Sequence, residues 1–289
     1  MSWPHGDGCA VVITVDVDGD LPFLAAHPEN EHRAKSRSVG RYGPEVGARR
    51  VLGVLERCGV RADWFIPGRL AADDPELLRE VTRAGHSVGV HGDAHLDFDG
   101  LSLDEQLREI AGGAAALAAV TGERPRGFRI PSGEWHPELP RRAAELGFEW
   151  SSSLPSDDHP FRTAPGLAEV PWRYELEDAQ YFAYNLDPPF PPGQSRITPI
   201  ETVEANWWCE YEGAARWGTL FVLRLNAELI GTPGRARMLE RLIGRIRADG
   251  RAEFRSCAEA AAFADLRPGA TGEHPYQLFE RIRGEELAR

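Results

Sequence analysis

The chain of 289 residues is 42% hydrophobic and 27% charged, an ordinary balance for a soluble globular protein, and is long enough for one large α/β domain or two small ones. Its 33 Lys and Arg against 45 Asp and Glu leave a formal charge of −12. That balance argues against nucleic acid or an anionic membrane surface as partner, since both need clustered positive charge.

Met1–Asp7 has neither the basic start nor the apolar run of a signal peptide, and no stretch approaches bilayer length. The cysteines (Cys9, Cys58, Cys209, Cys257) are far apart and form no Cys-x-x-Cys pair, so free thiols are expected. The composition points to a cytoplasmic protein acting on a small molecule.

No repeat or low-complexity block divides residues 1–289, which read as a single domain. Ala10–Val15 is a continuous apolar run, the pattern of a strand buried on both faces. Pro44–Cys58 follows as a helix opening on proline. Arg61–Ile66 is a strand, Pro75–Ala84 a helix closed by Gly85, and His86–His91 a third strand. Leu101–Thr121 is a long helix with Ser102 and Gln106 near its start. Arg126–Ile130 is a short strand, and Pro137–Leu146 a helix closed by Gly147. Phe148–Ser152 and Leu167–Val170 are further strands, and the proline-rich segment 188–193 must be loop. Thr202–Arg216 reads as helix, Leu220–Leu225 as the last strong strand, and Arg235–Ala248 as a closing helix. This alternation predicts a parallel sheet, and the number of units favours a closed barrel.

Chemistry in such barrels gathers where strands end. His91 and His95 lie four residues apart in one turn after an apolar strand, and two convergent imidazoles are good donors for a divalent metal. Asp16 and Asp18 end another strand and share a face if it stays extended, so one can bind the metal while the other acts beside it as a base. Arg129 ends its own strand, where a guanidinium can hold a carboxylate. Trp135, Trp172, Trp207 and Trp208 fall in predicted loops or at element ends and are candidate walls of a cleft.

In this order the residues resemble the polysaccharide deacetylase superfamily, the NodB-homology domain of carbohydrate esterase family four, over nearly the whole chain. Thr14-Val15-Asp16-Val17-Asp18-Gly19 is similar to the first motif, which implies Asp16 as base and Asp18 as metal ligand. His91-Gly92-Asp93-Ala94-His95 is similar to the second and implies both histidine ligands. Gly127-Phe128-Arg129-Ile130-Pro131 is similar to the third, whose arginine positions the base.

Further stretches resemble the intracellular peptidoglycan-deacetylase-like and allantoinase-like branch. They are Gly40-Arg41-Tyr42-Gly43, Trp64–Gly68, Ser151–Leu154 with Asp157-Asp158, and Leu176-Glu177-Asp178. The resemblance implies a distorted (β/α) barrel of about seven parallel strands and one divalent metal, zinc above all, with iron, cobalt or manganese as alternatives. Tyr42, Pro131, Trp135, Asp158 and Trp208 are the candidate substrate contacts, and a homo-oligomer is expected.

There is one departure. The branch's catalytic histidine aligns with Asn226, and an amide cannot give a proton to a departing amine. Leu96 also stands where the branch often has an acid. The expected activity is metal-dependent hydrolysis of a non-peptide carbon–nitrogen bond, with the attacking water activated by the cation. Asp16 is the expected base, and Asp16 itself, a residue such as His159, or water protonates the leaving nitrogen. Two other classes stay open: iron-dependent oxidation or a lyase or isomerase reaction on the same triad, and a non-catalytic binding protein.

Overall fold

The computed structural model describes residues 8–26, 28–183 and 197–265; the 188–193 loop lies outside them. The strands are β1 (Cys9–Asp16), β2 (Asp63–Ile66), β3 (Ser87–Val90), β4 (Gly127–Phe128), β5 (Trp150–Ser151), β6 (Phe161–Ala164), β7 (Leu167–Glu169), β8 (Leu220–Asn226) and β9 (Ala252–Phe254). They form one curled sheet in the order β6-β7-β5-β4-β3-β2-β1-β8, with β9 beside the start of β1. Every pairing is parallel except β6 with β7, so the barrel reading holds with an antiparallel strand at one edge.

The ladder does not run from β8 back to β6. The segment before residue 178 lies along β8 instead, where Asp178 N–H donates to Arg224 O at 3.1 Å and Glu177 pairs with Arg224.

The alternation along β1 explains both cores. Val11, Ile13 and Val15 face the surrounding helices, while Ala10 and Val12 join Phe65, Trp150, Ala168 and Val222 inside the barrel. Each fully buried valine or isoleucine contributes roughly 1.5–3 kcal/mol relative to an exposed one. Continuing the inward set by twos brings Thr14 and Asp16 into the interior at the carboxyl end, and on β8 it brings Arg224 and Asn226 there.

Helices 48–58, 75–83, 103–121, 139–145, 200–217 and 233–249 cover the outside within a few residues of their expected spans. Ser102 and Glu105 cap helix 103–121 as a reciprocal pair, while Gln106 reaches back to Phe98 O at 3.0 Å. Residues 34–42 and 68–73 are also helical, which the sequence reading left unassigned. The helix expected from Pro44 begins with a π-helical turn, Gly43–Gly47, that packs on the short helix Ala227–Ile230. Cys9, Cys58, Cys209 and Cys257 are all free thiols.

Candidate metal centre and active site

The parallel register of β1 and β8 sets Asp16 beside Asn226 and Thr14 beside Arg224. Asp16 is fully buried between two guanidiniums: Arg129 Nη1 is 2.6 Å from Oδ1, and Arg224 Nε is 2.8 Å from Oδ2. Arg129 is fixed further by donating to Thr14 Oγ1 at 3.1 Å, Ser152 O at 2.7 Å and Ser152 Oγ at 2.9 Å, and it lies over the Phe65 ring at 4.1 Å. Arg224 also pairs with Glu177 at 3.2 Å and lies over the Trp172 ring at 4.5 Å. Burial alone would raise the pKa of Asp16, but the two arginines outweigh it and hold the carboxyl well below the ordinary range.

Asp18, His91 and His95 converge beside this pair, their ligand atoms all within 4.8 Å of one another. His91 Nδ1 is 3.0 Å from Arg129 O, which leaves Nε2 to face the centre. Burial lowers the His91 pKa to about 4, so the ring is neutral, the form that binds metal.

The turn carrying these histidines is built for its shape. Gly92 adopts φ +70°, and the Glu109 carboxylate accepts from Asp93 N–H and Ala94 N–H, both at 3.0 Å. His95 has φ +57°, a left-handed conformation costly for a side chain of this size and typical of functional turns. Asp18 Oδ1 lies 3.4 Å from His91 Nε2 and 3.6 Å from His95 Nε2, beyond ordinary hydrogen-bond length, and is a buried oxygen without a hydrogen-bond partner among the described residues. A carboxylate oxygen and two imidazole nitrogens aimed at one point, with that oxygen orphaned, fit a divalent cation of the zinc type.

Asn226 donates from both its backbone N–H and its Nδ2 to Asp178, at 3.0 Å. Burial pushes the Asp178 pKa up to about 8 despite those bonds. Glu228, two residues on, is partly buried, and its Oε2 is shielded from solvent with no hydrogen-bond partner among the described residues. Glu169 accepts from Ser153 N–H and from Leu154 N–H at 2.7 Å, and burial raises its pKa to about 7.

Beside the base lies a cleft of about 290 Å³ lined by Arg129, Pro131, Trp135, Trp172, Tyr174 and Arg224, among others. Pro131 and Trp135 are thus brought to the site; three other expected contacts are not. Asp158 pairs with Arg173 at 3.3 Å, and its carbonyl accepts from Leu220 N–H at the start of β8, about 20 Å from the carboxyl end by strand rise. His159 lies at that same remote end.

Trp208 stands on helix 200–217 beneath Arg245, whose guanidinium is 3.5 Å from the ring centroid. Helical spacing turns Val203, Trp207 and Tyr211 to the core and leaves Trp208 at the edge of that face. Tyr42 accepts from Arg50 Nη1 at 2.6 Å and is 3.4 Å from Gly231 O, bracing the loop after Ile230 rather than lining the cleft.

Arg224, Glu177, Asp178 and Glu228 went unassigned in the sequence reading. A single Arg inside the apolar run Leu220–Leu225 is the signal for Arg224, and the Leu176-Glu177-Asp178 stretch is the signal for Glu177 and Asp178.

Known proteins agree with this architecture. The family profile described as polysaccharide deacetylase matches residues 42–151. A peptidoglycan deacetylase-like protein of Gibberella zeae is 25% identical over 203 residues, which cover 69% of this chain and 58% of that protein, so the chain spans less than two thirds of that relative. The Puue allantoinase superposes with a TM-score of 0.77 at 18% identity, over 93% of this chain and 94% of its own, and so shares the fold. A crystal structure from Mycobacterium smegmatis, assigned to the polysaccharide deacetylases, superposes with a TM-score of 0.86 at 32% identity, over 95% of this chain and 97% of its own. On that full-length similarity the chain belongs to the polysaccharide deacetylase family.

Proposed function

We propose that the chain is a metal-dependent hydrolase of a non-peptide carbon–nitrogen bond, of deacetylase or cyclic-imidase type, acting on a small molecule. The observation that carries the proposal is the convergence of Asp18, His91 and His95 next to a carboxylate, Asp16, that two arginines keep ionised. A divalent cation held by the triad would activate water and polarise the acyl oxygen.

The chain's own residues supply the rest. Each Asp16 oxygen keeps a lone pair beyond its guanidinium contact, so the carboxylate can take a proton from the attacking water. Arg129 and Arg224 fix where that proton goes. Trp135 and Trp172 wall a cleft sized for a small ring.

Asn226 supports the choice of bond. Its amide cannot protonate a departing amine, and a missing acid matters least when the leaving nitrogen is weakly basic. Imides, ureides and activated cyclic amides are therefore the proposed substrates, ahead of N-acetyl sugars.

Turnover of succinimide, hydantoin and N-acetylglucosamine by the zinc- or cobalt-loaded protein, beside Asn226→His, tests this. The proposal expects the cyclic substrates to be hydrolysed, with little gain from the histidine. A large gain by Asn226→His on N-acetylglucosamine would overturn the substrate class.

A further inference from the structure

We infer that Glu228 delivers the proton to the departing nitrogen, the task that the amide at 226 cannot perform; the inference rests on the hydrolase reading above. Asp16 and Asn226 are neighbours across β1 and β8, about 5 Å apart, and Glu228 follows Asn226 by two residues on the same rim of the barrel. Its Oε2 is out of contact with solvent and lacks any hydrogen-bond partner among the described residues. A buried polar oxygen left unmatched is costly, and such groups mark places where function overrides stability.

The other acids at this rim are spoken for. Both oxygens of Asp16 bind arginines, both oxygens of Asp178 accept from Asn226, and Asp18 belongs to the metal triad.

The packing reserves the space. A Cβ on Gly43 would lie 3.1 Å from Glu228 Oε2 and 3.3 Å from its Cβ and backbone nitrogen, so a larger residue at 43 would press this side chain aside by a few tenths of an ångström. Gly43 opens the π-helical turn 43–47, an irregularity often found at functional sites.

The carboxyls that bear most on Glu228 are those of Asp18, Asp178 and Asp16. Burial first, and then these neighbouring carboxyls, raise its pKa well above the ordinary value.

The step balances. As the water oxygen bonds to the acyl carbon, Asp16 takes its proton, and as the carbon–nitrogen bond breaks, Glu228 O–H protonates the nitrogen. Proton return from Asp16 to Glu228 through water that enters the cleft as the products leave restores both groups, so the net change is addition of water across the bond.

The test compares the metal-loaded wild type with Glu228→Gln on hydantoin, whose nitrogen needs a proton to leave, and on p-nitrophenyl acetate, whose phenolate does not. Glu228→Gln should lower kcat on hydantoin about 100-fold or more and abolish the alkaline limb of its pH profile, while acetate hydrolysis changes less than about threefold. A 13C-carboxyl NMR titration of glutamate-labelled protein should lose, in the variant, one resonance that titrates above the ordinary carboxylate range.

Equal losses on both substrates, an unchanged hydantoin rate, or a Glu228 resonance titrating in the ordinary range overturns the inference alone. A wild type that hydrolyses neither compound overturns the hydrolase reading, and the inference with it.

Discussion

Arg224 Nε lies 2.8 Å from Asp16 Oδ2, the oxygen that Arg129 leaves free. The contact crosses 208 positions of sequence and exists because the parallel register of β8 on β1 turns both side chains into the barrel. Breaking a buried ion pair by removing one partner leaves an uncompensated charge, which costs about 3–5 kcal/mol. Arg224→Met, which also strands Glu177, should therefore destabilise the fold by about 3 kcal/mol in urea unfolding. Retention of wild-type stability would mean that Arg129 alone compensates Asp16.

Metal binding should be visible as stability. A ligand at a hundredfold excess over its dissociation constant stabilises the native state by about 2.7 kcal/mol. Adding zinc or cobalt to chelator-stripped protein should raise Tm in the wild type and leave Asp18→Ala unmoved, because the mutation removes the oxygen that stands buried and unpartnered. Equal shifts in both proteins would place the metal elsewhere.

The barrel interior sets a pH dependence of its own. Burial raises Asp63 from 3.8 to about 6 and Glu169 from 4.5 to about 7. The folded state thus holds protons that the unfolded chain has already released. The stability these carboxyls contribute is present in full below about pH 4 and falls as pH rises to about 6 for Asp63 and 7 for Glu169. Above those values it is constant. Asp63→Asn and Glu169→Gln should each remove up to roughly 3 kcal/mol of that decline, read as a flatter profile of unfolding free energy across this window. Parallel mutant and wild-type profiles would show that neither group is protonated in the native state.

Legibility in the sequence followed the range of the interaction. Asp16, Asp18, His91, His95 and Arg129 stand out because each lies within a short motif at the end of an apolar run, and strand ends are where a parallel barrel gathers its chemistry. Arg224, Asp178 and Glu228 owe their place to pairing between segments far apart in sequence, which periodicity cannot supply.

Trp208 and Asp158 fail for the same reason in reverse. Each has the right residue type, but the helix face of Trp208 and the far end of β8 beside Asp158 carry them away from the cleft. The two-residue β4 falls within the expected strand Arg126–Ile130, whereas the three-residue β9 is too short for any pattern, and the sharp turn from β6 into β7 carries the one antiparallel pairing among the described strands.

The most direct test of the account is elemental analysis of the protein purified without chelator or added metal, beside Asp18→Ala. The account predicts about one divalent ion per chain, zinc or cobalt, in the wild type and its loss in the mutant. Iron in that position would move the site toward oxidative chemistry. No metal in either protein, or metal retained by Asp18→Ala, would contradict the claim that Asp18, His91 and His95 form the working centre.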